Sequence, residues 1–310
     1  TGPLRTSKTT ADKKTGLLAA FILAMYPFVF GLSRMARSNI ASMAIVCLSL
    51  YCILKTDSFR RVFPSLLLGL FLGLGILTRR TFSLFVIGPI IAIFAIALTD
   101  RDLVAVRRKI ILNIILAGII AVFLGGIWYS SKLSFLLKEY LYFSYFGKPP
   151  PCLAPKYFSF PFFIFYSRGL FNGQISPFFT LFFLIGLIMF LRKGKFKATL
   201  LSWIIVTYVA LTLIKYKEFR ETSEYLPAFA LITASGILRL GKQWLKQCLV
   251  YIIILGGLAQ YFIVSYTYPS STGIKLSFFN GNLAEGITVS SYLYPISEVF
   301  FHYPRKGDWQ

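Results

Sequence analysis

The stretch from Ser65 to Leu98 (SLLLGLFLGLGILTRRTFSLFVIGPIIAIFAIAL) constrains the fold more than any other part of the chain. Two apolar runs flank Thr78, Arg79, Arg80 and Thr81. Neighbouring guanidinium groups cost roughly 2.5 to 3.5 kcal/mol each at the centre of a bilayer, so this pair belongs at a membrane face. The second run reaches, and the first nearly reaches, the ~17 to 25 residues that a spanning helix needs. The segment therefore reads as a helical hairpin with a cationic tip.

The rest of the sequence repeats this pattern. Hydrophobic residues make up 56% of the 310 and charged ones 14%, which excludes a soluble globular domain. Backbone inside such runs has to satisfy its own hydrogen bonds, and the runs exceed the length of barrel strands, so they are expected to be helices. The net charge of +22 lies in short clusters between spans. That is the distribution of positive loops retained on the cytoplasmic side, and it argues against nucleic acid as a partner. Cys47, Cys52, Cys152 and Cys248 have no metal or redox spacing, and the single histidine, His302, lies in a polar tail. Neither a disulfide nor a metal site is expected from them.

The expected fold is an all-α polytopic membrane protein with about nine transmembrane helices. Residues 1–15 read as a cytoplasmic loop and 16–268 as the transmembrane core. Within that core the spans are about 16–32, bent at Pro27, then 40–54, 63–77, 82–98, 110–127, 177–191, 200–214, 226–238 and 248–266. A long outer loop, 129–176, mixes lysines with aromatics and the Pro149-Pro150-Pro151 run; Tyr140, Tyr142, Tyr145 and Phe146 make it a candidate cover over the acceptor. Residues 157–166 are expected to lie in the interface or to dip into it. Residues 269–310 form an outer tail, read as the start of a truncated soluble domain. Gly69 and Gly73 form a small-xxx-small face suited to close helix approach. The chain opens on Thr1 without a signal peptide and closes on Gln310, so a fragment cut at both ends is expected.

Alternation divides the loops into two sets. Residues 1–14, 55–61, 100–109, 192–197 and 239–246 carry 18 lysines and arginines, against seven in 33–39, 78–81 and 215–224. The richer set is cytoplasmic by the positive-inside rule. Seven cations on the opposite face run against that bias. Arg34, Arg37, Arg79, Arg80, Lys215, Lys217 and Arg220 are therefore candidates for holding an anion, with Arg79 and Arg80 able to offer paired hydrogen bonds to phosphate oxygens. The alternative is a snorkelling set anchored to lipid headgroups. Glu218, Glu221 and Glu224 recur every three residues. They suit a hard cation, sugar hydroxyls or, as the commoner arrangement, a solvated rim neutralised by Lys215, Lys217 and Arg220.

Several of these residues carry a resemblance. The order Tyr26-Pro27 then Ser33-Arg34, the run Gly69 to Arg79 (GLFLGLGILTR), Trp128-Tyr129 and the cluster Lys215 to Pro227 (KYKEFRETSEYLP) resemble the integral-membrane glycosyltransferases of the GT-C superfamily. Within it the likeness is to protein mannosyltransferases, aminoarabinose transferases and related lipopolysaccharide sugar transferases. It covers about residues 15–240. The family pattern places Thr-Lys at the donor phosphate, where this chain has Thr78-Arg79. It also places Arg-Tyr before a Leu-Pro helix start, where this chain has Arg220 and then Tyr225-Leu226-Pro227.

The resemblance implies transfer of a sugar from a polyprenyl-phosphate donor to a lipid, glycan or protein acceptor, at the outer face of the cytoplasmic membrane. It implies a donor-phosphate site drawn from the seven cations. It also implies a catalytic carboxylate in an outer loop after the first family helix, a segment with no counterpart in this sequence, so the catalytic residue is left unassigned. Divalent-metal dependence stays open, because the family is divided on it. A transporter or flippase of lipid-linked saccharide, or a polysaccharide polymerase or ligase, would also place cations on the outer face. Transporters, however, usually show internal repeats and polar or broken helices at mid-membrane depth, and Asn113 is the main amide inside a span here.

Overall fold

A computed structural model describes residues 3–33, 38–99, 106–130, 132, 134–135, 137–138, 158–193, 197–214, 217 and 219–266. Those residues fold into helices, turns and their connections, with no strand among them. In chain order the helices are α1 (Pro3–Met25), α2 (Pro27–Ser33), α3 (Ser38–Lys55), α4 (Val62–Thr78), α5 (Phe82–Thr99) and α6 (Arg107–Ala121). A π-helical turn, Val122–Gly126, carries α6 on into α7 (Ile127–Ser130). Next come α8 (Phe160–Gly169), a second π turn (Leu170–Gln174), α9 (Pro177–Lys193) and α10 (Lys197–Leu213). A 3₁₀ segment, Phe219–Tyr225, leads into α11 (Leu226–Ile237), and α12 (Gln243–Tyr266) is the last described helix.

The all-α class and the hairpin agree with the sequence reading, since α4 and α5 fall within a residue of the expected spans. By length and composition three helical stretches can cross a membrane: Ser38–Lys55, Arg107–Ser130 and Gln243–Phe262. The pair Lys13–Met25 and Pro27–Ser33, bent by 75°, makes a fourth if counted as one broken span. Val62–Thr78, Phe82–Ile96, Pro177–Arg192 and Lys197–Leu213 are apolar but shorter. At ~1.5 Å per residue, helices of this length fall near or below the ~30 Å of hydrocarbon. These features are consistent with a polytopic membrane protein.

One boundary differs from the sequence reading. Helix α1 begins at Pro3, well inside the stretch read as a polar loop; proline suits a first helical position because its missing N–H would have no partner there anyway. Most of the segment expected in the interface falls in α8, a helical form such a placement allows, with Pro161 tolerated in its first turn for the same reason. The prolines at 149–151, the aromatics at 140–146 and the tail after 266 lie outside the described residues.

The chain divides into two compact units, residues 36–163 with 195–228, and residues 1–35 with 164–194 and 229–310. In the first, Asn113 Nδ2 donates to Phe59 O at 2.7 Å and Tyr129 Oη donates to Ile76 O at 2.9 Å. These bonds set α6 parallel to α4. Thr207 Oγ1 donates to Leu84 O at 3.1 Å, and Gly88 lies against Ser202, so α10 runs antiparallel to α5. Helices α4 and α6 thus run the same way, and α5 and α10 opposite ways. The glycine face of α4 packs on α6, where a Cβ on Gly69 would come within 2.5 Å of Ala117 O. Asn113, the amide inside a span, is a structural group. It holds the α3–α4 turn, in which Asp57, Ser58 and Phe59 all have left-handed φ values of 54°, 56° and 64°.

In the second unit the α1–α2 break at Pro27 leaves the Met25 carbonyl to be satisfied from elsewhere. Gln260 Nε2 of α12 donates to it at 3.2 Å, and Ser176 Oγ donates to Gln260 Oε1 at 2.7 Å. Tyr26 packs edge-on against Phe179 at 5.4 Å. Gly186 of α9 and Gly236 of α11 meet backbone to backbone, an approach that any side chain would block.

Candidate anion site

The site belongs to the first unit and is built where its hairpin turns. Arg79 N donates to Gly75 O at 3.0 Å to end α4, and Phe82 N donates to Arg79 O at 3.1 Å as α5 begins. The turn closes tightly because the Phe82 ring lies where a Cβ on Gly75 would be. Arg79, Arg80 and Thr81 are thereby fixed at one end of the helices. The same end receives the start of α3 and the 3₁₀ segment. Asn39 Nδ2 joins these two, donating to Arg220 O at 2.9 Å and to Ser223 Oγ at 3.1 Å.

Arg79 turns toward this segment. Its Nη2 lies 2.5 Å from Glu221 Oε1 and its Nη1 2.6 Å from Glu224 Oε1. The side chains are 12% exposed for Arg79, 19% for Glu221 and 0% for Glu224. Residues three apart eclipse on a 3₁₀ helix, which is why both carboxylates reach one guanidinium. Ser223 Oγ donates to the other Glu224 oxygen at 2.8 Å. Burial raises the Glu224 pKa above the ordinary 4.5, and the Arg79 charge and the Ser223 bond oppose that rise only in part. The reading of these glutamates as a solvated rim is therefore corrected. Glu224 is wholly inside, and the neutralising cation for both is Arg79 from another element. Glu218 lies outside the described residues.

Beside this ion pair is a cavity of about 380 Å³ lined by Ser38, Asn39, Arg79, Arg80, Thr81, Arg220 and Glu221. Its wall holds three guanidinium groups and one carboxylate, a net charge of +2 for the lining residues. Ser38 and Asn39 open α3, and Arg80 and Thr81 immediately precede α5. The positive end of the α5 dipole thus adds to the arginine charge.

Of the seven candidate cations, the structure brings Arg79, Arg80 and Arg220 together on this cavity. Lys217 is elsewhere: it is buried, its Nζ donates to Thr212 O at 2.8 Å, and it lies 3.7 Å from the centre of the Phe162 ring. Burial lowers its pKa from 10.5 to about 8. Arg34, Arg37 and Lys215 lie outside the described residues. Sequence reasoning missed Ser38, Asn39 and Thr81, for which the available signal was position at a helix start. Among the described residues no three His, Cys, Asp or Glu side chains are grouped to hold a metal ion.

Residues 4–128 match the family model described as dolichyl-phosphate-mannose-protein mannosyltransferase. The match is consistent with the GT-C superfamily and supports a glycosyltransferase of the mannosyltransferase kind. It includes the α3 start and the arginine turn, but not Arg220, Glu221 or Glu224. Neither the curated proteins nor the solved structures searched give a match.

Proposed function

We propose that the chain transfers a sugar from a polyprenyl-phosphate donor and that the cavity holds the donor phosphate, with mannose the first sugar to test. The observation that carries this reading is the convergence of Arg79, Arg80 and Arg220 on one cavity at the starts of two helices. Arg79 has its charge balanced by carboxylates and acts mainly as a brace. Arg80 and Arg220 bring two further guanidinium groups to the same wall. A glycosyl phosphodiester carries one negative charge, and the phosphate acquires a second as the sugar departs. Three guanidinium groups outnumber the two carboxylates, Glu221 and Glu224, so the net positive charge stabilises the departing phosphate more than the bound donor, which is the condition for lowering the barrier. In this reading the cavity opens at the outer face of the cell membrane, as the loop charges suggest, and the acceptor is a lipid, glycan or protein hydroxyl. The carboxylate that takes the hydroxyl proton is expected from an outer loop.

The test uses the full-length protein, purified in lipid nanodiscs, with polyprenyl-phosphate mannose carrying a labelled sugar, and a cell-envelope extract as acceptor. Transfer predicts labelled product together with an equal amount of free polyprenyl phosphate. Movement of intact donor across a vesicle membrane, without release of polyprenyl phosphate, would instead indicate transport and contradict the proposal.

A further inference from the structure

The cavity holds more than an anion site needs. Glu221 places a carboxylate among the arginines, which weakens the binding of a bare phosphate. Its Oε1 is engaged by Arg79, but its Oε2 is buried and has no hydrogen-bond partner. Thr81 lines the same wall, and its Oγ1 is also buried without a partner. Unsatisfied buried polar atoms are costly, and two on one cavity wall mark places where a ligand group relieves the cost. The last torsion of a glutamate side chain is broad, so a small rotation turns either oxygen toward the cavity.

We infer that Glu221 and Thr81 bind hydroxyl groups of the sugar attached to the phosphate, so that the cavity selects a glycosyl phosphate over a phosphate alone. The inference rests on the donor-phosphate reading and adds the group that recognises the sugar. Arg80 and Arg220 attract the anion. Glu221 accepts from a ring hydroxyl beside it, and the Thr81 hydroxyl pairs with a second. A cavity of about 380 Å³ falls within the usual range for small-ligand sites.

The experiment compares the binding of two probes, polyprenyl phosphate and polyprenyl-phosphate mannose, to the chain in nanodiscs. Glu221→Gln keeps the shape of the side chain and removes its charge. It is expected to weaken the mannosyl lipid on the order of tenfold, the difference between a charged and a neutral hydrogen bond. Polyprenyl phosphate should bind it equally well or more tightly, because a like charge is gone. Equal weakening of both probes, or no change in either, would overturn the assignment. A second measurement on the wild type, with single-deoxy mannosyl lipids, does not depend on the variant folding: at least one should bind about tenfold more weakly. Equal affinity across that series would also overturn it. Wild-type chain that binds neither probe would contradict the phosphate reading itself, a result distinct from loss of the Glu221 assignment alone.

Discussion

Removing Arg79 should damage the protein far more than neutralising Glu224, although the two side chains share one ion pair. Arg79→Met leaves Glu221 and Glu224 facing each other, with Glu224 at 0% exposure. Breaking a buried pair in this way costs about 3–5 kcal/mol. Glu224→Gln keeps the Arg79–Glu221 contact at 2.5 Å and an oxygen for Arg79 Nη1, so its cost should stay below ~1.5 kcal/mol. In thermal unfolding followed by intrinsic fluorescence in detergent, Arg79→Met should lower Tm on the order of 10 °C and Glu224→Gln by a few degrees at most. The double variant should be more stable than Arg79→Met alone, because the stranded charge has been removed. The pH dependence follows from the raised Glu224 pKa. Between the ordinary 4.5 and its higher folded-state value the folded chain holds the extra proton, so Glu224 makes stability fall as pH rises through that window. Acid should therefore partly rescue Arg79→Met, and Glu224→Gln should remove this component of the fall. Equal damage from the two single variants, or a double variant no better than Arg79→Met, would refute the reasoning.

Two further outcomes follow from groups outside the ion pair. Lys217 has its pKa lowered from 10.5 to about 8, so between these values the unfolded chain holds the extra proton and stability should rise with pH. Lys217→Met should lose that rise in thermal unfolding scans across the same pH range, and an unchanged rise would show that another group causes it. Asn113→Leu removes the donor to the buried Phe59 carbonyl in the left-handed turn and should cost about 1–3 kcal/mol, measured by the same unfolding assay. A variant as stable as the wild type would show that the turn's other bonds suffice, among them Phe59 N to Thr56 Oγ1 at 3.2 Å and Arg60 N to Asp57 O at 3.2 Å.

The hairpin and its neighbours were legible because hydrocarbon leaves few choices: apolar runs become helices, and paired arginines move to an end. The placement of Arg80 near Arg220 followed from the same alternation, since consecutive spans return every second loop to one face. What the charge pattern could not give is which cation meets which carboxylate. Loop-local neutralisation of Glu221 and Glu224 by Lys217 or Arg220 is the simpler reading of the sequence. The 3₁₀ geometry instead turns both glutamates toward Arg79, more than 140 residues away. Lys217 shows the same limit of charge as a signal. Charge alone marks it as an anion ligand, whereas the structure sets its ammonium against the Thr212 carbonyl and the Phe162 ring. Ser38, Asn39 and Thr81 have common side chains and no spacing signature, so they acquire meaning only from where α3 and α5 begin.

The most direct test of the anion site is the affinity of polyprenyl phosphate for the wild type and for the Arg80→Ala, Arg220→Ala double variant, measured in nanodiscs at fixed salt. Removing two charge-assisted hydrogen-bond donors from one phosphate predicts at least about a hundredfold weaker binding, with the helical fold intact by circular dichroism. A properly folded double variant that binds the lipid as tightly as the wild type would contradict the account.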